Sequence, residues 1–174
     1  ADQQNPTLTA TDGLSHTPLH ETHRALGARM ASFAGWEMPV QYASILEEAS
    51  SVRTNAGLFD VSHMGRLELT GRAAADLLDT VLSVNVPKMR QGRARYNVVC
   101  TEEGGIIDDG IVYRRGVQKF LLIPNAANTG EVLDWLAGRS ICGRATLGSG
   151  ALSGGARPLR AIGQHHLALW YLRG

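Results

Sequence analysis

The chain has 174 residues, 44% of them hydrophobic and 19% charged, with a net charge of +1. That is enough apolar sequence for a core in one domain of ordinary size or two small ones, and no apolar run reaches membrane-spanning length. Residues 1–139 carry 13 basic and 16 acidic residues, so the body of the chain lacks the basic footprint of a nucleic-acid binder.

The opening stretch, "ADQQNPTLTATDGLSHTP", has no basic n-region and no apolar h-region. It is not read as a secretory signal, and its polar composition predicts a mobile arm over residues 1–15. Thr17-Pro18 has the form of an N-cap followed by proline at the first helical position, so a short helix is expected over "LHETHRAL", stopped at Gly27. "ARMASF" reads as a strand and "AGWEMPVQY" as an ordered loop. Ser44 and Glu47 fit a capping box that starts a helix through "ILEEASSVRTNA", ending at Gly57. In "RLELT", Leu67 and Leu69 alternate with polar residues, as in a half-buried strand. After Gly71, "RAAADLLDTVLS" predicts an amphipathic helix that ends at Asn85-Val86-Pro87.

Three strands follow: "ARYNVVC" (94–100), "GIIDDGIVYRR" (105–115) and "QKFLLIP" (118–124). The short turns "TEEGG" and "GV" make an antiparallel meander the natural arrangement. Asn128 and Glu131 give another capping-box start, with "EVLDWLAG" as the helix behind it. The order of elements predicts an α+β fold with antiparallel sheets and packed helices.

Residues 140–174 hold four Arg and no acid. Two readings stay open for this tail: a basic, Gly-rich linker with a short apolar end, or non-native, out-of-frame sequence. His165-His166 is an isolated pair and a weak metal signal. Cys100 and Cys142 match no metal motif and establish no disulfide, so a reduced compartment and no metal are expected. The expected divisions are the arm (1–15), the first part of a binding domain (16–67), a second α+β subdomain (68–139) and the tail (140–174).

The adjacent acids Asp108 and Asp109 lie in the middle strand of the meander. Successive strand side chains point to opposite faces, so the two are not a dyad or a paired metal clamp unless the strand is bulged, which Gly110 would permit. Ile107, Asp109, Ile111 and Tyr113 form one face; Ile106, Asp108, Gly110 and Val112 form the other. Parity does not select between the acids. A carboxylate withdrawn from water needs compensation.

Four stretches together resemble the aminomethyltransferase, or T-protein, family of the glycine cleavage system. They are "TPLHETHRALGARMASFAGWEMPVQY", "SVRTNAGLFDVSHMGRLELTG", "GRARYNVVCTEEGGIIDDGIVYR" and "FLLIPNAAN", and the resemblance covers residues 16–139. It implies a partial folate-binding clover-leaf fold and a bacterial-type cytoplasmic location, or the mitochondrial matrix in a eukaryote. It also implies tetrahydrofolate as co-substrate, lipoylated H-protein as partner, and transfer of an aminomethyl group with release of ammonia. The catalytic carboxylate falls on Asp109, expected on the buried side facing a cavity. The folate contacts fall on Met64, Tyr96, Tyr113 and Asn125. His63 is read as structural rather than as a general base, and Trp36 as a packing anchor. The family's proteins run to roughly twice this length, so the isolated chain is expected to be inactive. The alternatives are a folate-binding module, an inactive fragment or a related folate-dependent demethylase. Gly110 stands where the family commonly has Leu, and Pro124 where Val is usual.

Overall fold

A computed structural model describes residues 13–146, 160–161 and 169–173. The chain divides into two compact units, one of residues 1–63 and 164–174 and the other of residues 64–163. The predicted arm over 1–15 lies outside the described residues except for its last three, and most of the tail, with His165-His166, lies outside them too. Among the described residues no helix is long and apolar enough to cross a membrane.

In the first unit, β1 (Ser15–His16) leads into α1 (His20–Ala25). The helix begins later than Thr17-Pro18 implied, and Leu19 sits at its N-cap without a side-chain cap. Gly27 does stop it, at a φ of 77° that favours glycine. β2 (Arg29–Phe33) is the expected strand, but "WEMPVQ" is not a loop: it forms β3 (Trp36–Gln41), antiparallel to β2. The link is a two-residue hairpin turn at Ala34-Gly35, both with positive φ (50° and 81°), whose twist matches the flanking strands. Pro39 is accommodated beside a register shift.

α2 (Ile45–Thr54) follows Ser44, whose side chain makes no cap. The capping box is replaced by Glu48, whose Oε1 accepts from the Tyr42 and Ala43 amides at 2.7 and 3.0 Å. The helix ends at Thr54 rather than at Gly57, because residues 56–60 form β4 (Ala56–Asp60), paired with β10 (Leu169–Arg173).

The second unit holds a five-stranded sheet. Its strands are β5 (Leu67–Thr70), β6 (Ala94–Cys100), β7 (Ile106–Gly116), β8 (Lys119–Pro124) and β9 (Arg160–Ala161), in the order β6-β7-β8-β5-β9 and antiparallel throughout. α3 (Ala74–Val81) and α4 (Thr129–Thr146) pack on one face. α3 buries Ala74, Leu78 and Val81, and α4 buries Val132 and Leu136, at the three- and four-residue spacing of a helix stripe. They meet Leu67, Leu69, Val99, Val112, Phe120 and Leu122 from the sheet. α3 stops at Val81, short of the predicted end, because Leu82 turns extended and bridges Val99. Arg114 ties the loop after α3 to the sheet, donating to the Pro87 and Met89 carbonyls at 3.1 and 2.7 Å.

Candidate functional site

The two acids of β7 do fall on opposite faces. Val99 pairs with Asp108 and Val98 with Asp109, and the register then slips so that Cys100 pairs with Ile106. The extra residue is Ile107. The bulge therefore precedes the acids instead of falling at Gly110, and Ile107 turns to pack against the core cluster rather than sharing a face with Asp109.

Asp108, not Asp109, is the buried acid, at 4% exposure. Three donors compensate it: the Asn125 amide N–H at 2.8 Å, the Asn125 side-chain amide at 2.9 Å and the Asn128 side-chain amide at 2.7 Å. Pro124 explains part of this arrangement. Pairing between β7 and β8 reaches Gly110–Pro124, where proline offers no N–H, and the next amide goes to Asp108 instead. Asn128, expected to cap α4, uses its side chain on Asp108. Gly110 is required by close approach, since a Cβ there would lie 2.4 Å from the Ile123 carbonyl oxygen.

Asp109 lies half-buried on the opposite face of the sheet. The Tyr96 hydroxyl donates to its Oδ2, and the Asn125 side-chain amide lies 3.2 Å from its Oδ1 and 2.9 Å from its carbonyl oxygen. That amide has two hydrogens and three acceptors within reach, so one hydrogen is shared. The hydrogen bond to Asp109 raises the Tyr96 phenol above its ordinary pKa, helped by slight burial and by the charges of Asp109 and Asp108. Tyr96 thus remains a donor throughout the neutral range, although the residue is 69% exposed.

Of the five residues expected to form a site, polar contacts join Asp109, Tyr96 and Asn125. Tyr113 shares the Asp109 face, paired with Ala94 and Leu121, and is half-buried. Met64 precedes Gly65, whose amide donates to the Pro124 carbonyl at 3.1 Å, so the backbone brings Met64 to the end of β8 that carries Asn125. Around Asp109 the open face presents Val98, Ile111, Leu121 and Ile123, all half-buried. These side chains make an apolar surface around one anionic group. A cavity of about 420 Å3 in the same unit lies elsewhere, between the Thr101–Glu103 turn and Asp134, Trp135 and Arg139 of α4.

His63 is buried against the edge of Phe33, with ring centroids 5.8 Å apart, and its Nδ1 has no hydrogen-bond partner among the described residues. Burial pushes its pKa down, against an opposing pull from Asp60. Trp36 is buried at 4% exposure. What sequence reasoning missed is the anchoring of Asp108 by Asn125 and Asn128; the two asparagines just after a strand ending in proline were the available signal.

Residues 19–146 match the family described as GCVT N-terminal domain. An aminomethyltransferase of Streptomyces coelicolor is 51% identical over 127 residues, covering 73% of this chain and 34% of that protein. One of Rubrobacter xylanophilus is 56% identical over 115 residues, covering 66% and 31%. Among solved structures, the glycine cleavage system aminomethyltransferase T of Bartonella henselae superposes with a TM-score of 0.70 at 30% identity, covering 92% of this chain and 38% of that one. The chain spans about a third of the length of the curated relatives it matches.

Proposed function

The chain belongs to the GCVT N-terminal domain family, and we propose that it is the N-terminal portion of a tetrahydrofolate-dependent, cytoplasmic aminomethyltransferase of the glycine cleavage system. The complete enzyme takes the aminomethyl group from the lipoyl arm of H-protein, releases ammonia and passes the one-carbon unit to tetrahydrofolate, giving 5,10-methylenetetrahydrofolate. Asp109 is the catalytic residue in this reading. The observation that carries it is a carboxylate held by Tyr96 and Asn125 on an accessible apolar face, where a substrate can reach it.

The chemistry fits the residue types. Loss of ammonia or thiol from the aminomethyl carbon develops positive charge there. A carboxylate about 4 Å away, at an effective dielectric near 20, attracts that charge by about 4 kcal/mol. Felt only in the transition state, this amounts to roughly a thousandfold in rate. Asp109 can also take the proton from the attacking folate nitrogen. Tyr96 and Asn125 are positioning residues for the carboxylate. Tyr113 and Met64 offer a ring face and a polarizable thioether to a flat heterocycle.

Tetrahydrofolate titration followed by tryptophan fluorescence tests the binding half of this reading. A saturable change is expected, and no change up to millimolar ligand removes it. The catalytic half is tested in a protein extended to the length of the relatives, assayed for methylenetetrahydrofolate with aminomethylated H-protein. Asp109→Asn is expected to lower kcat roughly a thousandfold there. Full turnover by that variant would show that the carboxylate is not catalytic, and saturable binding without any turnover in the extended parent would favour a folate-binding module.

A further inference from the structure

The first unit gathers two imidazoles and two carboxylates that the Asp109 chemistry does not use. His16 ends β1 and His20 opens α1, four residues on. Parallel pairing of β1 with β3 sets His16 across from Glu37. The two imidazole rings stack, with centroids 3.7 Å apart and planes within 4° of parallel. Both present Nε2 to one atom, Oε2 of Glu37, His20 at 2.6 Å and His16 at 3.4 Å. Behind His20, Oε1 of Glu21 lies 3.0 Å from Nδ1. His20 and Glu37 are buried, and the His16 side chain is half exposed.

We propose that His16, His20 and Glu37 form a binding site for a divalent transition-metal cation of the zinc class. Two imidazole nitrogens and a carboxylate oxygen are a donor set that zinc accepts. Tetrahedral bonds of about 2.0–2.1 Å separate neighbouring ligand atoms by about 3.3 Å. The His16–Glu37 separation of 3.4 Å already matches that spacing. On binding, the His20–Glu37 contact of 2.6 Å opens by about 0.7 Å, and the stacked rings turn out of parallel so that both Nε2 lone pairs converge on the cation. All three ligand atoms lie within 4.8 Å of one another. Glu21 supplies the carboxylate behind a ligating imidazole that fixes its tautomer and orientation, as usually accompanies metal-bound histidine. Tying α1 to β3 needs only His20 and Glu37. The stacked second imidazole, turned to the same oxygen, and the carboxylate behind the first have no part in that simpler role. His16, being half exposed, provides the entry path.

Calorimetric titration of the full chain with zinc chloride tests the site, together with cobalt chloride followed by visible absorption. One equivalent per chain is expected, with a four-coordinate cobalt spectrum. His16→Gln, at a half-exposed position, is expected to weaken zinc binding about a hundredfold, and Glu21→Gln, at an exposed one, about tenfold. The double variant His165→Ala, His166→Ala tests the other histidine pair and is expected to bind zinc as the parent does. Binding that survives His16→Gln, binding lost in the tail double variant, or no binding up to millimolar metal would each overturn the proposal.

Discussion

Asp108 accepts three hydrogen bonds at 4% exposure, and Asp109, one residue later, shares the hydroxyl of an exposed tyrosine. Their roles separate along that line. Removing Asp108 strands the donors of Asn125 and Asn128, and each buried unsatisfied donor costs about 1–3 kcal/mol. Asp108→Ala is therefore expected to destabilise the chain by about 3 kcal/mol or more, read as a lower urea midpoint. Asp109→Asn, on the half-open face, is expected to stay within about 0.5 kcal/mol of the parent in the same measurement. Equal effects would contradict the division of labour. Doublet and strand parity were legible in the sequence. Which acid is buried was not, because that depends on which face the helices cover.

At the scale of elements, the first unit is held together by polar contacts. α1, the end of β3 and β4 are joined by a chain in which Tyr42 meets His23 Nδ1 at 2.6 Å and His23 Nε2 meets Asp60 Oδ2 at 2.9 Å. Burial would raise the Asp60 carboxyl, but hydrogen bonds from His23 and Ser62 outweigh it and hold the pKa below the ordinary 3.8. A depressed carboxyl contributes stability that is complete above 3.8 and is lost as pH falls through the lower folded value. His63 gives a second limb of the same sign. Kept neutral by burial, it refuses a proton that the unfolded chain accepts, so stability falls as pH drops from 6.5 through the lowered folded value. Urea midpoints against pH, read from Trp36 with the other tryptophans replaced by phenylalanine, are expected to show both limbs. His63→Phe should flatten the upper limb and Asp60→Asn the lower one. The hairpin of β2 and β3 was not legible, since its turn is Ala-Gly rather than Asn-Gly and the strand after it contains proline.

The whole molecule distributes its apolar burial unevenly. Among the described residues, the continuous core of Leu67 through Leu136 belongs to the second unit, while Trp36 and Met38 are the buried hydrophobics of the first. α2 buries none of its residues. Leu26, Phe33, Ile45, Leu46 and Leu58 of the first unit are all more than half exposed, with Leu46 at 82%. Apolar exposure on this scale favours association. Sedimentation is expected to show concentration-dependent self-association of the chain, weakened by Leu46→Lys with Leu58→Lys. A monomer at all concentrations would contradict this.

In the second unit, strands β5 to β8 lie within a residue of the spans that the sequence pattern predicts, whereas α4 runs eight residues past its expected end, to Thr146, and β9 was not expected. Alternation at Leu67 and Leu69, the β6-β7-β8 meander and the helical stripes on α3 and α4 are local patterns whose period matches a buried face. The sequence by itself also determined the family, through long stretches in a fixed order. Tertiary structure decided the rest. It ended α3 early because Leu82 found a strand partner, and it moved the bulge to Ile107. It turned Asp108 rather than Asp109 inward, and it brought His16 and His20 to Glu37 across sheet pairing. Each of these depends on a partner distant in the chain, and a local pattern carries no information about which partner arrives.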